Sequence, residues 1–291
     1  MIVPTGNIPF YWSNRRRTLF RRCKLRYFLY CYGAWGGNDV SADAAIREIH
    51  RQKRLQSFAE YLDGLCVRIL REHFYHRPDS SLRQLGVSFL RRELTDMRDR
   101  TPGNDHNFPL LREFIETPAA LGRLASELQN ALAARIESYE NGFYGRLTEI
   151  SCCDRVEKDF PLQVSLGELT CYTPAFLIFR QNGDLCFADL SDTPESALFH
   201  RYSAMNQHGL PPEAVHSYTA NLQTGIFRTA DNTQNVTALL RAIRRDTQEM
   251  LALIHEDHTV NSNDFPAEKG EHCTTCPFGL LCNCDAGKTP F

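Results

Sequence analysis

The chain has 291 residues, of which 42% are hydrophobic and 23% charged, and its formal net charge is −2. These values are typical of a globular protein with a full hydrophobic core, and no apolar run approaches the roughly 18 residues that a membrane span needs. Eleven cysteines is an odd number, and the chain is long and has no signal-peptide pattern. This argues against a secreted disulfide framework and favours the cytoplasm.

A basic segment follows an apolar lead-in of residues 1–12. It has seven basic residues and no acidic one between Arg15 and Arg26. Apolar and aromatic positions at helical spacing predict a helix from Ser13 to Tyr32. A local basic patch of this kind favours contact with the phosphates of a nucleic acid, while the ordinary alternative is pairing with carboxylates of the folded domain. The candidate phosphate contacts are Arg15, Arg16, Arg17, Arg22 and Arg26.

The middle of the chain is predicted to be helical. The apolar period indicates a helix from Ala44 to His73, and residues 77–150 are mostly helical with breaks at the prolines. Leu121 to Tyr139 is amphipathic and is expected to end near Asn141. Nothing in residues 77–150 indicates chemistry, so we expect this region to pack on a core.

From Phe160 onward the pattern changes to one of strands. Alternation and short apolar runs predict strands around residues 162–166, 176–179, 185–189 and 214–222, with a hairpin turn at Arg180–Asp184 whose glycine supplies a positive φ. Helices are predicted from Pro194 to Met205 and from Val236 to His255. This order indicates a mixed sheet with a helical crossover.

Three cysteines near the end of the chain are spaced to bind one metal centre. Cys273, Cys276 and Cys282 form a C-x2-C-P-F-x3-C motif, whose short intervals let three sulfurs reach one centre. A fourth ligand is needed, and the candidates are Cys23, in a basic and aromatic segment 250 residues upstream, and Cys284. The alternatives are a [4Fe–4S] cluster, zinc on Cys273, Cys276, Cys282 and Cys284, or disulfides or free thiols without a metal.

A lone N-terminal cysteine in a C-x-x-R-Y/F segment, combined with the C-terminal motif, resembles the iron–sulfur staple of RecB-like PD-(D/E)XK nucleases. This group includes Cas4 and the AddB-type nuclease domain, and the resemblance extends in fragments from about Ser13 to Cys282. It implies a [4Fe–4S] cluster on Cys23, Cys273, Cys276 and Cys282. Such a cluster ties the chain ends together and lowers the entropy of the unfolded chain.

The resemblance also implies a fold. We expect an α/β protein with a mixed-sheet PD-(D/E)XK nuclease-like core, a helical N-terminal and inserted region, and a C-terminal cysteine hairpin. The expected segments are a basic and aromatic one (residues 13–40), a helical region (41–150), the core (151–260) and the cysteine segment (261–291), which docks on the N-terminus.

The catalytic motif implied by the resemblance is degenerate in this chain. The family has P-D, then D/E-x-K, then a helix with Q-x-x-x-Y, and a further helix with G-x-x-V-H. Four of these functional residues are replaced at the matching positions, by Ala175, Ser191, Leu198 and Arg68. Asp189 and Tyr202 remain, and a single carboxylate is a poor Mg²⁺ site. Arg68 is expected to contact phosphate directly or to form a salt bridge with Asp189.

Relocated residues are the alternative to lost catalysis. An acid at Glu168 or Glu195 is the partner considered for Asp189, and Arg201 is the substitute considered for the lysine. Other polar groups lie near in sequence, namely Asp184, Asp192 and His200. Asp192 also fits the N-cap region of the helix after Pro194.

The sequence therefore predicts a non-catalytic iron–sulfur protein that binds nucleic acid, DNA rather than RNA, or docks on a partner such as a helicase or a catalytic nuclease subunit. An active nuclease that uses Mg²⁺ and relocated residues is the second hypothesis. An assembly scaffold without nucleic-acid affinity is the third. Salt-dependent binding separates the first hypothesis from the third.

Overall fold

The computed structural model describes residues 1–4, 8, 10–76, 80–99, 109–113, 117, 119, 121–142, 144–145, 153–155, 162–173, 175–190, 194–224, 227–229 and 236–282. The described residues form helices and mixed sheets, so the predicted α/β class is confirmed. Every helix in these ranges is too short or too polar to cross a membrane.

The longer helices follow the order of the chain. They are α1 Asn14–Arg22, α2 Lys24–Phe28, α3 Ala44–Arg54, α4 Phe58–His76, α5 Leu82–Asp99, α6 Leu121–Asn141, α7 Pro194–His208 and α8 Val236–Leu251. The strands are β1 Ile2–Pro4, β2 Trp12–Ser13, β3 Leu55–Gln56, β4 Leu110–Leu111, β5 Cys153–Arg155, β6 Leu162–Leu166, β7 Leu169–Thr173, β8 Leu177–Gln181, β9 Asp184–Asp189, β10 Val215–Ala220, β11 Phe227–Thr229 and β12 Thr259–Asn261.

The chain divides into two compact units. The first combines residues 1–57, 105–112 and 241–291, and the second combines residues 58–104 and 113–240. The predicted helix from Ala44 to His73 is therefore two helices, α3 in the first unit and α4 in the second, with the short strand β3 between them.

An aromatic core holds the two chain ends together in the first unit. The rings of Phe20 and Tyr27 meet edge to face with their centroids 5.3 Å apart, and those of Phe28 and Phe265 are 5.1 Å apart. Phe278, from the cysteine segment, is completely buried in the same cluster. Burying a phenylalanine side chain contributes about 1.5–3 kcal/mol, so each of these buried rings stabilises the unit appreciably.

Backbone pairing joins the same two ends of the chain. Strand β1 pairs antiparallel with β12, with Val3 opposite Val260. The backbone N–H of Leu25 donates to the carbonyl oxygen of Pro266 at 3.3 Å. The lead-in of residues 1–12 thus contributes a short strand, which the sequence did not indicate.

The second unit is built on a five-stranded mixed sheet of order β11-β10-β9-β8-β5. Strands β8 and β9 form the predicted hairpin, in which Asn182 and Gly183 both have positive φ values of 54° and 92°. Two successive positive φ values match the twist of the flanking strands in a two-residue turn. The hairpin prediction is therefore confirmed.

A helical crossover continues the sheet. Helix α7 follows β9 and leads to β10, which pairs parallel to β9 with Asp189 opposite Thr219. Apolar side chains of the hairpin and of β10 form a buried cluster that includes Ala175, Ile178 and Val215. Helix α6, predicted from the amphipathic pattern at Leu121–Tyr139, ends at Asn141 as expected.

Candidate functional site

Cys23 lies at a break between two helices of the first unit. The predicted single helix from Ser13 to Tyr32 is wrong at this point, because Cys23 is extended, with φ −165° and ψ 113°, and separates α1 from α2. Its backbone N–H still donates to the carbonyl oxygen of Leu19, and its Sγ accepts the N–H of Arg26 at 3.4 Å. The thiol therefore caps the N-terminus of α2 and has a fixed orientation.

The C-terminal cysteines lie on consecutive tight turns. The N–H of Cys276 donates to the carbonyl oxygen of Cys273 at 3.2 Å, and that of Cys282 donates to Gly279 at 3.4 Å. Phe278 lies between Cys276 and Cys282 and is buried in the aromatic core. Its burial fixes the cysteine turns against α2.

The structure brings the four predicted cysteines to one small cavity in the first unit. Cys23, Cys273, Cys276 and Cys282 all line it, together with Arg26 and the neighbouring residues Leu25, Leu29, His272, Phe278 and Gly279. Cys23 is buried, whereas the other three thiols are partly exposed. Residues 250 positions apart in sequence are therefore neighbours around one space.

The electrostatics of Cys276 reflect this proximity. Burial raises the pKa of its thiol, the nearby thiols of Cys23 and Cys273 raise the pKa further, and the N–H of Phe278 and the guanidinium of Arg26 lower it. Several thiols and one cation thus act on the same sulfur. A metal centre binds the thiolate, so loading this site would release protons.

The side chain of Arg26 bears on whether the cavity suits an anionic cluster. Its Nε is buried and has no hydrogen-bond partner among the described residues, although the side chain lines the cysteine cavity. A buried polar group without a partner costs free energy. Four thiolates around an iron–sulfur cluster carry net negative charge, and sulfur atoms accept hydrogen bonds, so such a group fits this donor.

A site for a single metal ion, such as zinc, needs several side chains placed around one point. Among the described residues, no group of three or more His, Cys, Asp and Glu side chains is positioned to hold one ion. Cys284, the alternative fourth ligand for zinc, lies outside the described residues.

Carboxylates and aromatic rings engage most of the basic segment. The Nε of Arg17 lies 2.9 Å from the completely buried Asp246, and Arg21 contacts Asp246 and Glu249. Arg16 is buried against the ring of Tyr11, with its Cζ 3.6 Å from the ring centre. With Arg26 at the cysteine cavity, Arg15 and Arg22 are the predicted phosphate contacts that are exposed.

The positions matched to the nuclease motif lie in the second unit and are mostly apolar. Ala175 and Leu198 are buried, and Tyr202 is partly buried on α7. Asp189 ends β9, and its Oδ1 accepts the N–H of Leu190 at 2.7 Å. Ser191 lies outside the described residues. The described part of the motif thus has a single carboxylate, at Asp189.

Arg68 is paired differently from the expected Asp189 salt bridge. Its guanidinium contacts Glu93 of α5 at 3.0 Å, and the hydroxyl of Tyr61 donates to the same carboxylate oxygen at 2.6 Å. The Glu93 side chain is only 5% exposed. A buried carboxylate needs such partners, which is why Arg68 pairs with α5 rather than with Asp189.

The groups considered for a relocated active site have other surroundings. Asp184 begins β9, at the opposite end of that strand from Asp189, and contacts His216 at 2.9 Å. Glu168 is exposed in the turn between β6 and β7, and His200 is buried with its ring stacked 4.9 Å from that of Phe187. Arg201 is partly buried on α7. The structure describes neither Asp192 nor the side chain of Glu195.

Sequence reasoning did not identify Asp63, which lines a cavity of about 620 Å³ in the second unit. Leu190 also lines this cavity, as do polar residues that follow or end β10 and the side chain of Arg228. It therefore opens beside the carboxyl ends of the parallel strands β9 and β10, the usual location of ligands in open α/β sheets. The sequence signal that could have pointed to Asp63 is its position directly before Gly64, which begins the G-x-x-V segment.

Two properties distinguish this carboxylate. Burial raises the pKa of Asp63, Arg135 lowers it, and Glu60 raises it. Arg135 lies 3.5 Å from Asp63 and also donates to the carbonyl oxygen of Leu222. The cavity thus contains a carboxylate whose pKa is raised by burial, with a cation 3.5 Å from it.

No model of a protein family matches the chain, and no curated protein matches it.

Proposed function

We propose that this chain is an iron–sulfur protein with a degenerate PD-(D/E)XK nuclease-like core that binds nucleic acid, or serves as a non-catalytic subunit beside a catalytic partner. The observation that carries the proposal is the single cavity lined by Cys23, Cys273, Cys276 and Cys282. Four thiolates are the usual ligand set of a [4Fe–4S] cluster. When bound, the cluster would act as a covalent link between the chain ends.

The sheet topology supports a nuclease-like core. An antiparallel hairpin, a helical crossover and a strand parallel to the second hairpin strand occur in the order that the resemblance implies. Fold alone does not carry function, so this observation supports the architecture and not the activity.

The loss of catalysis is supported by the residues around β9. A metal-dependent nuclease holds Mg²⁺ with at least two carboxylates and stabilises the developing charge with a lysine. Ala175 is buried among apolar side chains and Arg68 is paired with Glu93. Those two positions therefore provide neither a metal ligand nor a cation that faces substrate.

Nucleic-acid binding is supported by charge in the first unit. Arg15 and Arg22 are exposed and lie seven residues apart on α1, so they share one face of the helix. Such spacing suits a polyanion. We propose DNA rather than RNA as the ligand, and a helicase or a catalytic nuclease subunit as the protein partner.

The primary test is the iron and acid-labile sulfide content of anaerobically purified protein. We expect about four of each per chain, with a broad visible absorption band, and their loss in Cys23→Ala. Cys31→Ala is the matched control, because Cys31 is also buried in the first unit but does not line the cavity. Zinc in place of iron, or a centre that survives Cys23→Ala, would overturn the cluster.

A second candidate function is favoured by the cavity that contains Asp63. Asp63 adds a carboxylate beside the end of β9, where Leu190 lines the same space. An active nuclease would show Mg²⁺- or Mn²⁺-dependent cleavage that disappears in Asp189→Ala and in Asp63→Asn. Absence of cleavage of single-stranded and double-stranded DNA and RNA would exclude this function and favour the first one.

A further inference from the structure

Three cations of the first unit, Arg15, Arg16 and Lys53, lie close enough to act on one another and have no carboxylate partner among the described residues. Arg17 and Arg21 contact the buried Asp246, whereas no carboxylate of the described chain pairs with Arg15, Arg16 or Lys53. Ion pairing is the usual role of a clustered cation in a folded domain. These three are therefore not explained by internal charge neutralisation.

Two of these cations meet at one aromatic ring. The Cζ of Arg15 lies 4.6 Å from the ring centre of Tyr30, and the Nζ of Lys53 lies 4.4 Å from the same centre. Arg15 comes from α1 and Lys53 from α3, so two separate helices bring their charges to this ring. The negative face of the ring attracts cations and partly offsets their repulsion.

The wide helical turn that carries Tyr30 explains its position. Residues 29–33 form a π-helix, in which the N–H of Ala34 donates to the carbonyl oxygen of Leu29 at 3.1 Å. Leu29, Cys31 and Tyr32 are buried, while Tyr30 is only partly buried. π-Helical turns occur frequently at functional sites.

Among the described residues, no carboxylate offsets the positive charge of Arg15, Arg16 and Lys53. Burial lowers the pKa of Lys53, and the charges of Arg15 and Arg16 lower it further, although Cys31 opposes them. Arg16 is buried and donates to the carbonyl oxygen of Tyr11. The groups near the Arg16 guanidinium include the thiol of Cys31 and the phenols of Tyr27 and Tyr32. These groups are uncharged at neutral pH, because burial raises their pKa values. An anion is the type of ligand that would neutralise these charges.

We propose that Arg15 and Lys53, on either helix beside Tyr30, bind a backbone phosphate of a nucleic acid. The inference rests on the proposed nucleic-acid function and assigns its contact point. Arg15 offers several N–H donors and Lys53 a compact ammonium, a combination that suits phosphate oxygens. The exposed Thr18 and Arg22 continue the same face of α1 from Arg15 and extend the surface toward neighbouring phosphates.

The first experiment measures affinity for single-stranded and double-stranded DNA as a function of salt. Lys53→Gln and Arg15→Gln each remove one cation, and we expect each to weaken binding roughly tenfold and to reduce the salt slope by about 0.7–0.9. Lys53→Arg keeps the charge and should keep the affinity. Arg47→Gln is the control, because it removes one charge from an exposed position of the same helix α3.

The outcomes separate this site from the wider function. Salt-dependent binding by the wild type that Lys53→Gln and Arg15→Gln leave unchanged would overturn the site and leave the nucleic-acid function standing. Absence of binding by the wild type to every nucleic acid would overturn both. Thermal unfolding of each variant establishes that it is folded, and Lys53→Arg provides the conservative comparison if Lys53→Gln is unstable.

The second experiment measures the titration of the Lys53 ammonium directly by NMR. The chain has five lysines, so a spectrum of the protein labelled with ¹³C at lysine Cε has few signals, and Lys53→Arg assigns the one of interest. We expect Lys53 to titrate at lower pH than an exposed lysine, and a short DNA oligonucleotide to raise its pKa. A response to inorganic phosphate but not to the oligonucleotide would replace the proposal with a free-phosphate site, and no response to either would overturn it.

Discussion

The two units differ in what surrounds their polar side chains. In the first unit, four cysteines and Arg26 line a common cavity, and Arg15 and Lys53 share an aromatic ring with no acidic partner in the part of the chain that the structure describes. In the second unit, the position matched to a metal-binding carboxylate is the buried Ala175, and Arg68 is paired with Glu93. Groups able to bind a ligand are therefore concentrated in the first unit, apart from the cavity of Asp63.

Burial energetics explain why the two sets of residues differ. A thiol behaves as a small hydrophobic group and can be buried without a charged partner. A carboxylate or a guanidinium in the same position is costly unless it is paired. Cysteines can therefore line a cavity without charged partners, whereas a buried carboxylate such as Glu93 is stable only when it is paired, here with Arg68.

The largest expected effect follows from removing Phe278, the aromatic side chain that anchors the cysteine turns. Phe278→Ala should lower the free energy of unfolding by about 3–5 kcal/mol, because it leaves a cavity in the core. Leu281→Ala is the matched control, since Leu281 is 40% exposed and follows in the same turn; it should cost less than about 1 kcal/mol. Equal urea midpoints for the two variants would contradict the anchoring role.

In the second unit the corresponding test is the buried carboxylate Glu93. Glu93→Ala leaves Arg68 and the Tyr61 hydroxyl without their acceptor and should cost about 2–3 kcal/mol in urea unfolding. Glu127→Ala removes the exposed partner of Arg123 and should cost less than about 0.5 kcal/mol. If both changes had the same small effect, Arg68 would not be held by pairing, and its assignment as a structural residue would be wrong.

A third test concerns Arg26 and depends on the proposed cluster. Arg26→Gln removes a positive charge that acts on Cys276. It should shift the reduction potential of the cluster to a more negative value, because reduction adds negative charge. Arg26→Lys should restore most of the difference, and the exposed Arg22→Gln should have little effect. An unchanged potential in Arg26→Gln would mean that this guanidinium does not interact with the centre.

The smallest expected effect is a difference in pH dependence between the units. The raised pKa of Asp63 means that its contribution to stability is present below the unfolded value near 3.9 and is lost as pH rises through the folded value. The pKa of Asp257 is lowered, chiefly by the hydrogen bond from Thr259, so its contribution is lost as pH falls.

Thermal unfolding between about pH 3 and pH 7 tests this contrast. Relative to the wild type, Asp63→Asn should gain stability as pH rises, and Asp257→Asn should lose it, by at most about 2 °C each. Parallel curves for the two variants would show that neither carboxylate has the environment described.

The pattern of apolar residues and turns predicted much of the architecture. The hairpin at Asn182-Gly183, the crossover helix α7 and the extent of α6 all follow from local periodicity and turn chemistry, which depend on residues close in sequence. The break at Cys23 was not predictable in this way, because the chain around it also bonds to distant residues: the N–H of Leu25, at the start of α2, donates to the carbonyl oxygen of Pro266.

The sequence by itself also determined which residues are candidates for chemistry, because the cysteine spacing and the lack of acids at the motif positions are visible in the residue types. Only the tertiary structure decided what each charge contacts. It paired Arg68 with Glu93, Arg17 with Asp246, and brought Lys53 to Tyr30. Ion pairs and cavities join residues that are far apart along the chain, and the free energy of burying each charge depends on neighbours that local pattern does not specify.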